Sequence, residues 1–349
     1  MDGRTIPFLV AAIGDSSKKV RLLKNITSFL ETAKLARKQA YRNLTIFPLL
    51  APDGVEPDYL TLEQALDQNL IRITEIDSEG SVPELQLSNL GKKPVLIIEG
   101  EELIGAKQNR IVNSSFLIAG KTEIVIPVSC VEQGRWRYDS NEFVSGKKMM
   151  HASLRSKHQA DVKFSLKQGR GYRSDQSRIW DDIHAKSVRM EAPSPTGAMA
   201  DVFDKYEDKL SKFLEKFHLI EWQVGAVFAI NGQVLGLEAF GSHDTFRRFF
   251  DKLVKSYALD ALDNPKKQMK ESVPPDSARR FITSATKSKG EKHPSLGLGT
   301  NVTLESRVVS GSALVEEDRV LHLSAFKKET KGNSGGVGYQ RFSQRRRRR

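Results

Sequence analysis

Cysteine is almost missing from this chain: 349 residues contain one, Cys130. A lone thiol excludes an intramolecular disulfide and any zinc or iron–sulfur site built from cysteines, and it fits a reducing compartment. Long apolar runs are missing as well. The stretch Ile6–Ile13 is too short to span a bilayer, and only Arg4 stands before it where a secretory leader needs a basic region and a cleavage site. A cytoplasmic protein with no membrane contact is the expectation. None of the seven histidines shows the His-x-x-x-His spacing of a helical zinc site. The pairs Gly169-Arg-Gly171 and Gly297-Leu-Gly299 lack a following helix and lysine, so neither supports a phosphate loop.

What is present suffices for a folded body: 39% hydrophobic residues, with three Trp and seventeen Phe, can fill a sizeable core. The net charge of +12 is uneven. Five of those charges are Arg345–Arg349, which leaves +7 for the rest. A terminal run of one sign reads as a disordered interaction tail, either simply solvated or touching nucleic acid.

Residues 1–41 read as a helical extension, because Leu22, Leu23, Ile26, Phe29, Leu30 and Ala33 recur at helical intervals. Asn43–Leu50 is a strand candidate closed by the turn Ala51-Pro-Asp-Gly54, and Thr61 is placed to cap a helix. From Leu70 to Trp136 strands dominate, with Gly120-Lys121 as the expected turn of a hairpin joining Asn109–Ile118 to Glu123–Val131. Residues 137–189 are polar and basic and read as a loop or lid, with a helix near His151–Lys163. Gly197–Phe217 reads as one long helix. Gln223–Phe240 is a hairpin turning at Asn231-Gly232, and helices follow at His243–Leu262 and from Pro274. Strands at Gly297–Ser306, Val308–Val315 and Val320–Phe326 close the body, and 327–349 is the expected disordered basic tail. Hairpins with intervening helices predict an α+β fold with a largely antiparallel sheet and a single globular body over 42–326.

Two segments carry chemistry that a strand does not require. Gln108, Asn109, Arg110 and Asn113 offer amides and a guanidinium, suited to purine edges and phosphate. The second, Cys130-Val-Glu-Gln-Gly-Arg-Trp136, adds a thiol, Glu132, Arg135 and the stacking surface of Trp136. Glu132 follows an apolar run, so it needs an arginine partner, and Arg110 and Arg135 are the candidates. It can act as acid or base, or sit in a structural ion pair. Cys130 can be a nucleophile, but its neighbours Val128 and Val131 point to a packed thiol. The carboxylates Glu99, Glu101 and Glu102 could do acid–base work or simply keep a strand end soluble. Along an extended chain Glu99 and Glu101 share a face, with Glu102 opposite.

Gly105-Ala-Lys-Gln-Asn-Arg-Ile-Val-Asn-Ser-Ser115, Ile126-Pro-Val-Ser-Cys-Val-Glu-Gln-Gly-Arg-Trp136 and Leu253–Ala261 resemble the ADP-ribosylglycohydrolase and rhodanese–phosphatase-associated domain family. The likeness covers roughly 42–326. It implies a role near ADP-ribose or NAD-derived nucleotides, in stress response or nucleic-acid repair, and supplies no catalytic residue. The leading expectation is a domain that binds or processes such a nucleotide, with Glu132 as acid or base, Arg110 and Arg135 on phosphates, Gln108, Asn109 and Asn113 orienting, and Trp136 stacking. The competing class is a non-catalytic module that binds nucleic acid or protein through the basic loop and tail. A third makes both segments architectural. No cofactor and no oligomeric state is legible.

Overall fold

The computed structural model describes residues 7–51, 57–77, 79–265 and 273–328, with side chains from Val20 onward. Helix α1 (Pro7–Thr32) leads into β1 (Lys34–Leu35), β2 (Gln39–Tyr41) and β3 (Leu44–Leu50). Next come β4 (Leu60–Thr61), α2 (Leu62–Asp67), β5 (Ile71–Thr74), β6 (Glu84–Asn89) and β7 (Val95–Ile97). The chemistry-rich region holds β8 (Glu101–Gly105), β9 (Arg110–Val112), β10 (Phe116–Ile118) and β11 (Thr122–Cys130). After β12 (Phe143–Met149) stand α3 (Ala152–Lys167), α4 (Gln176–Arg189), α5 (Met199–Lys205) and α6 (Glu207–Leu214). The hairpin β13 (Gln223–Ile230) and β14 (Gln233–Phe240) precedes α7 (His243–Asp263) and α8 (Pro275–Thr286). Then come β15 (Lys289–Pro294), β16 (Thr300–Glu305), β17 (Val309–Glu316) and β18 (Arg319–Lys327).

Alternation along the strands builds the layers. The main sheet runs β1-β3-β13-β14-β18-β17-β16-β15, with β2 also on β3. Successive residues point to opposite faces, so Ile46, Ala226 and Phe228 pack with α7, while Phe47, Val227 and Ala229 pack beneath α1 and α8. Leu22, Ile26 and Leu30 recur every four residues on α1 and are buried there. Each such side chain contributes roughly 1.5–3 kcal/mol, so α1 is a layer of the fold. A second unit combines the sheet β12-β8-β9-β11-β6-β5 with the small sheet β10-β7-β4. Between them lie Leu85, Leu103, Val112, Phe116 and Val128. Among the described residues every strand pair is antiparallel except β4 with β7. The fold is α+β, as expected.

Three expectations need correction. The boundary at 41/42 falls inside the β2–β3 hairpin, where Tyr41 pairs with Leu44. Residues 137–189 are not mainly loop: they hold β12, α3 and α4. Their apolar stripe is concealed because α3 and α4 bury Arg155, His158, Gln159 and Lys186. The helix expected over 197–217 breaks at Tyr206 (φ −104°, ψ 10°), whose hydroxyl donates to the Met190 carbonyl at 2.9 Å. The expected turn at 51–54 falls largely outside the described residues, as does the tail from 329.

Candidate functional site

β9 sets the geometry. Arg110 lies opposite Leu103 of β8 on one side and opposite Cys130 of β11 on the other. The hairpin expected to turn at Gly120-Lys121 does not form as a single unit. The run 109–118 is divided by Asn113-Ser-Ser115: β9 stays on β11, and β10 crosses to β7. Residues 108–110 nevertheless meet 130–132, and the Val131 amide donates to the Asn109 carbonyl at 3.0 Å.

Glu132 is buried and fully engaged. Its Oε2 accepts from the Asn109 amide at 3.0 Å and from Arg135 Nε at 2.9 Å, while Oε1 accepts from Thr196 Oγ1 at 2.9 Å. Burial alone would raise its pKa, but these donors outweigh it and hold the carboxyl below its ordinary value. Arg135 continues the network, donating to the Ala106 carbonyl at 2.6 Å and to Asn109 Oδ1 at 3.0 Å. A planar guanidinium suits this work, since it reaches several acceptors in one plane.

Arg110 stands apart. It is fully buried, donates from Nη1 to Gln108 Oε1 at 3.1 Å, and lies 3.8 Å from Glu75 Oε1. Its Nε and Nη2, and Glu75 Oε2, have no hydrogen-bond partner among the described residues. Burial lowers the pKa of this guanidinium. Trp136, 48% exposed, covers it with the ring centroid 5.9 Å from Cζ. Lys107 places its ammonium 5.0 Å from the Trp136 ring and 5.2 Å from Tyr138.

Cys130 is buried and exchanges hydrogen bonds with the Glu132 backbone, accepting at 3.4 Å and donating at 3.3 Å. Burial pushes the thiol pKa up against the pull of Arg110. Asn113 lies elsewhere, bonded to Ser129 at 2.6 Å, His158 at 3.0 Å and the Tyr172 carbonyl at 2.9 Å. The structure thus brings Glu132, Arg135 and Asn109 into one network and Gln108, Arg110 and Trp136 into another. Glu75, Lys107 and Tyr138 complete the second. Sequence reasoning passed over Glu75 because it lies 35 positions before Arg110 with no short motif linking the two, and it did not single out Lys107 and Tyr138 beside the motif residues.

Glu99 and Glu101 do not share a face. Gly100 takes φ +81°, which ends the extended chain between them. Glu101 accepts from the Ile98 amide at 2.9 Å and from Lys252 at 3.3 Å. Glu99 joins a larger polar seam, accepting from Ser324 Oγ at 2.6 Å and Gln159 Nε2 at 3.1 Å. Arg155 Nη2 stands 3.5 Å from Glu99, and the same guanidinium grips Glu238 through Nη1 at 2.9 Å and Nη2 at 3.1 Å. Ser115 Oγ and His322 Nδ1 share a hydrogen bond at 2.8 Å, and His322 Nε2 lies 3.7 Å from Glu238. Burial and the paired carboxylates oppose each other at Arg155, and the carboxylates prevail, raising its pKa.

The model of the ARPP-1 family, the ARG and Rhodanese-Phosphatase-superfamily-associated Protein domain, matches residues 32–326. The chain belongs to this family. No curated protein and no solved structure matches it. The ARPP-1 span begins at the last residue of α1 and contains both polar networks and the seam. No helix among the described residues is long and apolar enough to cross a membrane. No group of three or more His, Cys, Asp or Glu there could hold a metal ion.

Proposed function

We propose that this ARPP-1 domain binds an anionic, planar ligand of the ADP-ribose or NAD type at the Lys107, Gln108, Arg110, Trp136 and Tyr138 cluster. Trp136 and Tyr138 are about half exposed and offer aromatic surface for stacking, and base–aromatic stacking contributes about 1–3 kcal/mol per base. Lys107 and Arg110 supply positive charge beside them. The observation that carries the reading is Arg110: a fully buried guanidinium with two nitrogens that lack a hydrogen-bond partner among the described residues, screened from solvent by a half-exposed indole. Swinging that indole aside would present Nε and Nη2 to a phosphate or carboxylate, and pairing such donors recovers the stabilisation that burial withholds.

Glu132 serves this site by position. With both oxygens occupied and its pKa lowered, it holds the turn that carries Arg135 and Trp136, and acid–base chemistry is not assigned to it. The alternative in which all of these residues are architectural draws on the same closed Glu132–Arg135–Asn109 network.

Thermal-shift and calorimetric titration with ADP-ribose, NAD and AMP separate the two. Binding that is lost in Trp136→Ala and Arg110→Lys supports the ligand site. Absence of binding by all three compounds, or binding indifferent to both variants, leaves the architectural reading.

A further inference from the structure

A different part of the molecule offers an open concavity. Between α3 and the adjoining strands β14, β18 and β17 lies a cavity of about 380 Å³, within the range of small-molecule sites. Ser153, Ser156, Ala160 and Lys163 recur at helical spacing and form one wall. Leu235 and Phe326 supply the apolar part of the lining, and the Phe326 ring is backed by Arg155, with Cζ 5.4 Å from its centroid.

The remaining lining is cationic. Lys157, Lys163, Arg178, Lys327 and Lys328 surround the opening, and among the described residues no Asp or Glu lines it. The neighbouring carboxylates do not neutralise this charge. Lys163 and Lys328 share the single carboxylate of Glu305, Lys157 pairs with Asp182 at 2.7 Å, and Arg178 pairs with Asp161 at 2.5 Å. Lys327 has no ion-pair partner among the described residues. Among the described residues, five cations therefore face three carboxylates set back from the cavity. Ser310, also in the lining, is bonded to Lys163 at 2.5 Å and offers a hydroxyl beside that ammonium.

We propose that this groove binds an organic phosphate with a flat or apolar body, the phosphate held by Lys163, Lys328 and Arg178 and the body lying on Leu235 and Phe326. Lysine and arginine form charge-assisted hydrogen bonds to phosphate, and an apolar floor favours the attached ring over inorganic phosphate. The same chemistry could come from a free mononucleotide or from the end of a nucleic-acid strand. It is independent of the Trp136 cluster, since the two sites share no residue.

The experiment is a fluorescence titration of the full chain carrying Trp136→Ala, which takes nucleotide binding at the Trp136 cluster out of the signal, with N-methylanthraniloyl-ADP, and with ADP, pyrophosphate and a short single-stranded oligonucleotide as competitors. Saturable binding displaced by ADP more effectively than by pyrophosphate is expected, because pyrophosphate lacks the ring. Displacement by the oligonucleotide as well would identify a strand end as the source; its failure to compete would identify the free nucleotide. Arg178→Ala with Lys327→Ala, both exposed positions, should weaken binding by about tenfold or more. Ala160→Trp added to Trp136→Ala should abolish it by filling the groove. No binding up to about 1 mM overturns the proposal. So does an affinity that neither Ala160→Trp nor the double charge substitution changes in that background. Far-UV circular dichroism of each variant establishes that it is folded, and the double charge variant decides the matter if Ala160→Trp is not.

Discussion

Replacing Glu102 by Gln should stabilise the protein in a pH-dependent way. Glu102 lies on β8, almost fully buried, and neither carboxylate oxygen has a hydrogen-bond partner among the described residues. It packs against Gly146 in the irregular part of β12, where an added Cβ would stand 2.6 Å from Oε2. Lys148 is near, but it pairs with Asp204 at 2.9 Å. Burial, reinforced by Asp204, Glu132 and Asp201 and only partly offset by Lys148, pushes the pKa from 4.5 to about 8. The sign follows directly. Below pH 4.5 the group is protonated in both states and no penalty exists. Above it the unfolded chain ionises while the folded one stays protonated, so stability falls until the pH passes 8. At pH 7 the loss comes to about 3 kcal/mol, from 1.36 kcal/mol per unit of displacement. Glu102→Gln removes the titration while keeping the shape. The stability difference between variant and parent, from urea unfolding, should therefore grow by about 3 kcal/mol between pH 4.5 and pH 7 and level off above pH 8. Any fixed cost of burying the amide cancels in that comparison. A difference that does not change with pH would refute the reasoning.

Arg155→Ala should be the most damaging change in the seam, because it strands Glu99 and Glu238 in the core. A loss of about 3–5 kcal/mol in urea unfolding is expected, and a loss below about 1 kcal/mol would show that the pairing carries little weight. Cys130 should alkylate slowly in the folded protein at pH 7.5, since burial keeps it as a thiol. Labelling by iodoacetamide as fast as in urea would show that the thiol is open to solvent.

The parts of the fold legible in the sequence are those where local signals and tertiary packing agree. Asn231-Gly232 turns the β13–β14 hairpin. Thr61 caps α2 with Gln64 returning the bond, and the strands expected at 297–306, 308–315 and 320–326 overlap β16 to β18. Helix α3 was legible near His151–Lys163, but α4 was not, and the packing of both was hidden for the opposite reason: their buried faces carry Arg155, His158 and Lys186, which a hydrophobic pattern counts as solvent-facing. The candidate site was half legible. The polar runs at 108–110 and 130–136 identified it, and β9–β11 pairing joined them. Yet Asn113 turned to His158, and Arg110 found Glu75 rather than Glu132. Such choices depend on strand register, which short three-residue strands do not announce.

The seam around Arg155 also limits the ways this chain can misfold. Arg155 sits on α3, Glu99 in the smaller β unit, and Glu238 in the main sheet. A collapsed state in which the two sheets met one residue out of register could still bury its leucines and phenylalanines. It would, however, separate a guanidinium from two carboxylates in a water-free interior. Apolar side chains tolerate approximate neighbours; these three do not. The seam thus acts as a proofreading contact, stable only when all three elements have arrived in their native places.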